Sequence, residues 1–108
     1  MNQRIVDHFN HSAQTALATG ESLADDILRA SEAMLDTLDN GGKLLLCGNG
    51  GSAADALHFS AELLVRFQKE RKALPAVALV SDTATLTATG NDYAFDQIFS
   101  RQIEALAA

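Results

Sequence analysis

Residues 43–64 read KLLLCGNGGSAADALHFSAELL, and this stretch decides the fold. KLLLC (43–47) has the length and unbroken apolarity of a buried strand in a parallel sheet. A glycine-rich turn follows it. Helical spacing then begins, with Ala56, Phe59, Leu63 and Phe67 on one apolar face, and predicts a helix over 52–69. A second short run, AVALV (76–80), is introduced by the only proline, Pro75, and reads as another buried strand. Strand, turn, long helix and strand make a βαβ unit, which requires parallel strands and a right-handed crossover.

Upstream, Ile5, Phe9, Ala13 and Ala16 share one face of a helix over 3–18, with a break expected at Gly20. A second helix is expected over 21–39, where Leu23, Ile27, Ala30, Met34 and Leu38 recur at three- and four-residue steps, and Asn40-Gly41-Gly42 supplies the stop. Together these predict an N-terminal helical hairpin over 1–40. Downstream, TATLTAT (83–89) alternates as a strand does, yet threonine with alanine makes a weak apolar face. Both helix and strand stay open there. From Asn91-Asp92 onward, Phe95, Ile98, Phe99, Ile103 and Leu106 mark an amphipathic helix that Asp92 could cap. Two strands do not make a stable doubly wound sheet alone, so either further chain or another subunit is expected to complete it.

The 108 residues suit one domain, and 47% apolar content is ordinary for a globular protein. Fourteen acids against eight bases give a net charge of −6, which disfavours nonspecific binding to nucleic acid or anionic membrane. Arg66, Lys69, Arg71 and Lys72 place half the bases within seven residues. They read either as a solvated helix end or as local attraction for an anion. Cys47 is the only cysteine, so no intrachain disulfide can form, which fits a reducing compartment. Preceded by three leucines, it is expected to be a small buried hydrophobe. MNQRIVDHFN lacks signal-peptide architecture. LPAVALV is far short of the roughly 20 apolar residues that span a bilayer. A cytoplasmic protein is the expectation.

The turn GNGGSA sits where an α/β fold places its ligand, between a strand's carboxyl end and a helix start. Glycines there permit positive φ and close backbone approach. The helix N-terminus favours a phosphate, and Ser52 is a natural N-cap whose hydroxyl could turn to a phosphate oxygen. A capped turn without ligand is the plain alternative. No Gly-Lys-Ser/Thr follows, so this is not a P-loop. G-x-G-x-x-A is matched through Gly48, Gly50 and Ala53, but Asp82 stands 29 residues past Ala53, too far for a dinucleotide-binding unit.

Asp55, His58, Glu62, Arg66 and Lys69 are spaced three, four, four and three, forming one polar stripe on the expected helix. The bland reading is a solvated ridge with a Glu62–Arg66 pair at i,i+4. The sharper reading takes His58 and Glu62 together. At i,i+4 they can converge as two ligands of a zinc ion, with further ligands from elsewhere. Alternatively, Glu62 is a general base and His58 orients or polarises a carbonyl. Phosphate loop, base and electrophile are the minimum apparatus for moving a proton beside the carbonyl of a sugar phosphate.

CGNGGSAADALHFSAELLVRF, followed by LPAVAL and GNDYAFDQIFSRQI, resembles the bacterial phosphoheptose isomerases of the sugar isomerase (SIS) domain superfamily. The resemblance implies a flavodoxin-like three-layer α/β/α sandwich with a parallel sheet. Residues 41–108 would form the first part of that domain and residues 1–40 oligomerisation helices. It further implies a homotetramer with sites at subunit interfaces, and isomerisation of sedoheptulose 7-phosphate for lipopolysaccharide heptose synthesis. By the same resemblance Asn49, Gly50, Gly51 and Ser52 contact substrate and phosphate. His58 and Glu62 ligate one Zn²⁺, and Glu62 also serves as acid–base. Arg66 lies beside the site, and Asn91 and Asp92 contact substrate.

The implied mechanism has Glu62 moving the proton between C1 and C2 through an enediol whose charge Zn²⁺ stabilises. Glu62's two roles compete. The family's later serine/threonine-rich phosphate loop, and its late helix bearing a glutamine and a zinc-ligating histidine, are absent from 1–108. The chain is therefore expected to be a fragment, inactive alone. A non-catalytic relative, one that binds the bacterial replication initiator or senses sugar phosphates, is the competing reading. The carboxylate at Glu62 discriminates against the initiator binder, which lacks it.

Overall fold

The computed structural model describes residues 1–107, in two units: residues 1–36, and the chain from Thr37 onward. Helix α1 (Asn2–Asp39) is 38 residues long and continues through Gly20, which at 1.5 Å per residue makes it about 57 Å long. The expected hairpin is thus corrected to one helix. Gly20 lies four residues after Ala16 and three before Leu23, so the apolar stripe passes through the glycine rather than ending at it. A single interior glycine costs only about 1 kcal/mol relative to alanine, and no second turn residue reinforces it. No residue of α1 is buried.

The stop at 40–42 forms as expected. The Gly42 N–H donates to the Thr37 carbonyl (2.8 Å) and the Gly41 N–H to that of Leu38 (3.2 Å). This paired pattern closes a helix C-terminus through its last free carbonyls.

Strands β1 (Leu44–Leu46) and β2 (Ala76–Ala78) pair in parallel, with Leu44 opposite Ala76 and Leu46 opposite Ala78. The ladder extends at both ends, from Leu44 N–H to the Pro75 carbonyl (3.0 Å) and from Leu79 N–H to that of Leu46 (2.8 Å). Helix α2 (Gly51–Leu64) is the crossover and packs on both strands. Ala76 is 5% exposed but its neighbour Val77 is 38% exposed, so one sheet face is covered and the other is open. Small residues meet at the covered face. Ala56 and Ser60 of α2 are buried four positions apart, and with Ala76 they let helix and sheet approach closely. This is an α/β unit with a two-stranded parallel sheet.

TATLTAT belongs to helix α3 (Thr83–Asp92), so its strand-like alternation is misleading. Asp82 caps α3, accepting from the Thr85 N–H (3.3 Å) and the Thr85 hydroxyl (2.7 Å). The threonines then satisfy themselves on carbonyls one turn back, as Thr87 does on Thr83 and Thr89 on Thr85. Such back-bonding frees threonine from needing a sheet partner. Asp92 ends α3 instead of capping the last helix, which is itself split into a 3₁₀ turn (Phe95–Gln97) and α4 (Ser100–Leu106). Gln102 ties α4 to the end of β2, donating to the Leu79 and Ile98 carbonyls, both at 2.9 Å. Leu79 (2% exposed) and Ile98 are buried there. Among the described residues no helix is long and apolar enough to cross a membrane.

Candidate functional site

The turn after β1 is built by glycines with separate tasks. Gly50 has φ +58° and ψ −122°, the first central position of a type II′ turn and a region open only to glycine at low cost. The turn closes by the Ser52 N–H donating to the Asn49 carbonyl at 3.0 Å. Gly48 solves a space problem: a Cβ there would lie 2.7 Å from the Ser52 Cβ and 2.8 Å from the Ser52 carbonyl. The helix therefore starts directly against the strand's end.

The structure corrects the N-cap. Gly50 occupies that position, while Ser52 is the second residue of α2 and its side chain makes no cap hydrogen bond. The residue is exposed. The Ala53 N–H also turns inward, to the Gly50 carbonyl at 3.0 Å. For an anion, the turn offers chiefly the Gly51 N–H, the Ser52 hydroxyl and the positive helix end. Cys47, expected to be buried, is exposed at the strand's mouth, because β1 ends at Leu46 and the chain leaves the sheet there.

Two turns along α2, the His58 Nε2 and Glu62 Oε1 stand 2.8 Å apart. The imidazole is 76% exposed and the carboxylate 36%. Both are reachable by a solute, and the imidazole nitrogen and the carboxylate oxygen stand side by side. As a donor set, one imidazole nitrogen and one carboxylate oxygen suit zinc. They supply two of its four bonds. Among the described residues no group of three or more His, Cys, Asp or Glu that could hold a metal ion is found. Glu62 also lines a cleft of about 410 Å³, with Phe59, Leu63, Phe67, Arg71 and Leu74 around it.

The polar stripe is shorter than expected, because α2 ends at Leu64 rather than 69. Arg66 and Lys69 lie beyond the helix, exposed, and no Glu62–Arg66 ion pair forms. Arg71, read in the sequence only as one of four clustered bases, has a specific task. Its guanidinium donates to the carbonyls of Glu62, Leu63 and Lys72 and so closes the end of α2. No local pattern signals this contact, which bridges eight to nine residues. Asn91 and Asp92 stand at the end of α3, where the Asn91 amide donates to the Asp92 carboxylate at 3.1 Å. Among the described residues no hydrogen bond joins them to the turn or to the His58–Glu62 pair.

This strand–glycine turn–helix arrangement has a family. Residues 8–108 match the SIS domain, and the chain belongs to that family. Its relatives are consistent in kind. It is 57% identical over 106 residues to a phosphoheptose isomerase of Shewanella loihica, covering 98% of this chain and 54% of that protein. It is 52% identical, with the same coverage, to the phosphoheptose isomerase of Thiobacillus denitrificans. The solved phosphoheptose isomerase of Francisella tularensis superposes with a TM-score of 0.91 at 47% identity, over 97% of this chain and 55% of that one. That of Neisseria gonorrhoeae gives 0.89 at 46%, over 98% and 54%. The chain spans about half the length of the relatives it matches.

Proposed function

We propose that this chain is the amino-terminal half of a phosphoheptose isomerase, which interconverts sedoheptulose 7-phosphate and glycero-manno-heptose 7-phosphate. The observation that carries the reading is the 2.8 Å His58–Glu62 pair, two turns into a helix that opens on a type II′ glycine turn. Asn49, Gly50, Gly51 and Ser52 would receive phosphate and hydroxyls, with Arg66 contributing from beyond α2 and Asn91 and Asp92 from the end of α3. Glu62 Oε1 would take a proton from C1, beside the C2 carbonyl of the ketose, and return it to C2, while the hydroxyl proton passes from O1 to O2. Its position in an accessible cleft suits that task. His58 holds the carboxylate in register from one turn earlier.

His58 and Glu62 would hold Zn²⁺, with the remaining ligands supplied from outside the described residues. A bound Zn²⁺ supplies Lewis-acid stabilisation of negative charge on oxygen. A carboxylate bonded to a cation is a poorer base, so Glu62's role as donor weakens its role as base. We further assign the three-layer α/β/α sandwich and a cytoplasmic homotetramer, supported by the open sheet face at Val77 and by an α1 with no buried residue.

In the full-length polypeptide, Glu62→Gln is expected to lower turnover of sedoheptulose 7-phosphate by about 10²–10⁴-fold, the usual range for losing a general acid–base. The far-ultraviolet circular dichroism should be unchanged. Full activity in that variant would remove Glu62 from the chemistry. Chelation should abolish activity and Zn²⁺ restore it, and His58→Ala should lower the zinc content of the purified protein.

A further inference from the structure

We propose that Arg71 is the positioning residue for Glu62, fixing the last turn of α2 so that the carboxylate keeps its place. The proposal deepens the functional reading above and rests on it for Glu62's role. In a continuing helix the carbonyls of Glu62 and Leu63 would accept from N–H groups four residues on, at Arg66 and Phe67. The helix stops at Leu64, and Arg71 takes over both acceptors. Its Nη2 donates to the Glu62 carbonyl, while its Nη1 donates to those of Leu63 (3.0 Å) and Lys72 (2.9 Å). The Leu63 carbonyl accepts a second bond from the Leu74 N–H at 3.0 Å, which ties the helix end to the segment entering β2.

A cation at this end also meets the negative pole of the helix. The planar fork of a guanidinium spans two adjacent carbonyls, which an ammonium group does not. Arg71 forms no ion pair with the Glu62 carboxylate, which stays on His58. It acts on the backbone beneath the carboxylate.

The intervening chain is shaped for this return. The Lys69 N–H donates to the Phe67 carbonyl at 2.7 Å, a γ-turn centred on Gln68 at φ +62°. A residue with a Cβ rarely holds that conformation, and it persists only where its surroundings over-determine it. The Arg71 contacts on one side and the helix on the other do so. Glu62 lies within the last turn, where helices fray first. Without the fork, its backbone and hence the 2.8 Å contact to His58 would loosen.

The test uses the full-length polypeptide and three readouts. In Arg71→Ala, amide exchange followed by NMR should accelerate at Val65, whose N–H donates to the Ala61 carbonyl at 2.9 Å, and at Leu74. kcat should fall about 10–100-fold, the effect typical of losing a partner that orients a ligand, with KM changed less than about twofold. Zinc should also be lost at lower chelator concentration. Arg71→Lys, which keeps the charge without the fork, should recover only part of each. Gln102→Ala removes two comparable hydrogen bonds at α4 and serves as the control for lost stability. If Arg71→Ala lowers Tm as that control does, while kcat and Val65 exchange stay at wild-type values, Arg71 merely stabilises and the proposal fails. If instead Glu62→Gln keeps full turnover, the functional reading fails and takes the catalytic part of this proposal with it. The exchange result then still decides whether Arg71 clamps the helix.

Discussion

Three glycines within four residues of the turn tolerate a methyl group very differently. At Gly48 the methyl would press on the Ser52 backbone, which cannot rotate away as a side chain can. At Gly50 there is open space but a left-handed φ of +58°. At Gly51 there is neither obstruction nor positive φ. Gly48→Ala is therefore expected to destabilise by about 1–3 kcal/mol through overpacking, and Gly50→Ala by a similar amount through backbone strain. Gly51→Ala should leave the urea midpoint nearly unchanged or raise it, since alanine favours the first helical turn. Equal midpoints for the Gly48 and Gly51 variants would contradict the close approach of strand and helix. The sequence shows a glycine-rich turn, but not which glycine answers to space and which to conformation. That distinction depends on where Ser52 falls, two residues past the N-cap position expected for it.

At the scale of elements, α3 depends on its cap. The Thr85 hydroxyl, and secondarily the Thr85 backbone N–H, hold the Asp82 carboxyl below its ordinary value of 3.8. A carboxyl whose folded pKa lies below its unfolded one contributes stability that is fully present above the unfolded value. That contribution is lost as pH falls through the lower, folded one. Asp82→Asn keeps a capping oxygen but removes the charge, so its urea midpoint should fall below wild type at pH 7 and converge on it in acid, below the normal aspartate range. A constant gap across pH would show that the charge of Asp82 contributes nothing.

Other elements show why some structure is legible and some is not. KLLLC and AVALV could be read as paired strands because each is a short, unbroken apolar run, and the Asn40-Gly41-Gly42 stop is a local hydrogen-bond pattern. The helix end at Leu64 is not local. It is set by Arg71 returning to the Glu62 and Leu63 carbonyls and by Leu74 returning to that of Leu63, contacts that span eight to eleven residues and that helical spacing does not encode. TATLTAT misleads for the opposite reason: its period suggests a strand, while a single aspartate before it and hydroxyls that bond backward decide for helix. His58 and Glu62 were legible as a pair because helical spacing alone brings them together.

The molecule as a whole carries an imbalance. α1 exposes Ile5, Phe9, Leu17, Leu23, Ile27 and Leu35, with Phe9 74% exposed, and buries nothing. A helix alone in water gains little from propensity and draws most of its stability from packing an apolar face. An uninterrupted apolar stripe about 50 Å long is far larger than the scattered exposed residues normal for a monomer. The continuity through Gly20 matters here, because a hairpin could have covered its own stripe whereas one straight-through helix has to find its cover elsewhere. The proposed homotetramer would supply it if copies of α1 pack together. Burying a phenylalanine contributes about 1.5–3 kcal/mol, and each 1.4 kcal/mol is tenfold in an association constant. Phe9→Asp in the full-length polypeptide should then weaken assembly at least tenfold per affected contact, and Phe9→Asp with Ile27→Asp should yield a smaller species in sedimentation velocity. The helical circular dichroism should fall as α1 loses its packing. Asp25→Asn, on the same helix but polar, should sediment as wild type. A double variant that still sediments as wild type would mean that α1 is covered by something other than its own copies.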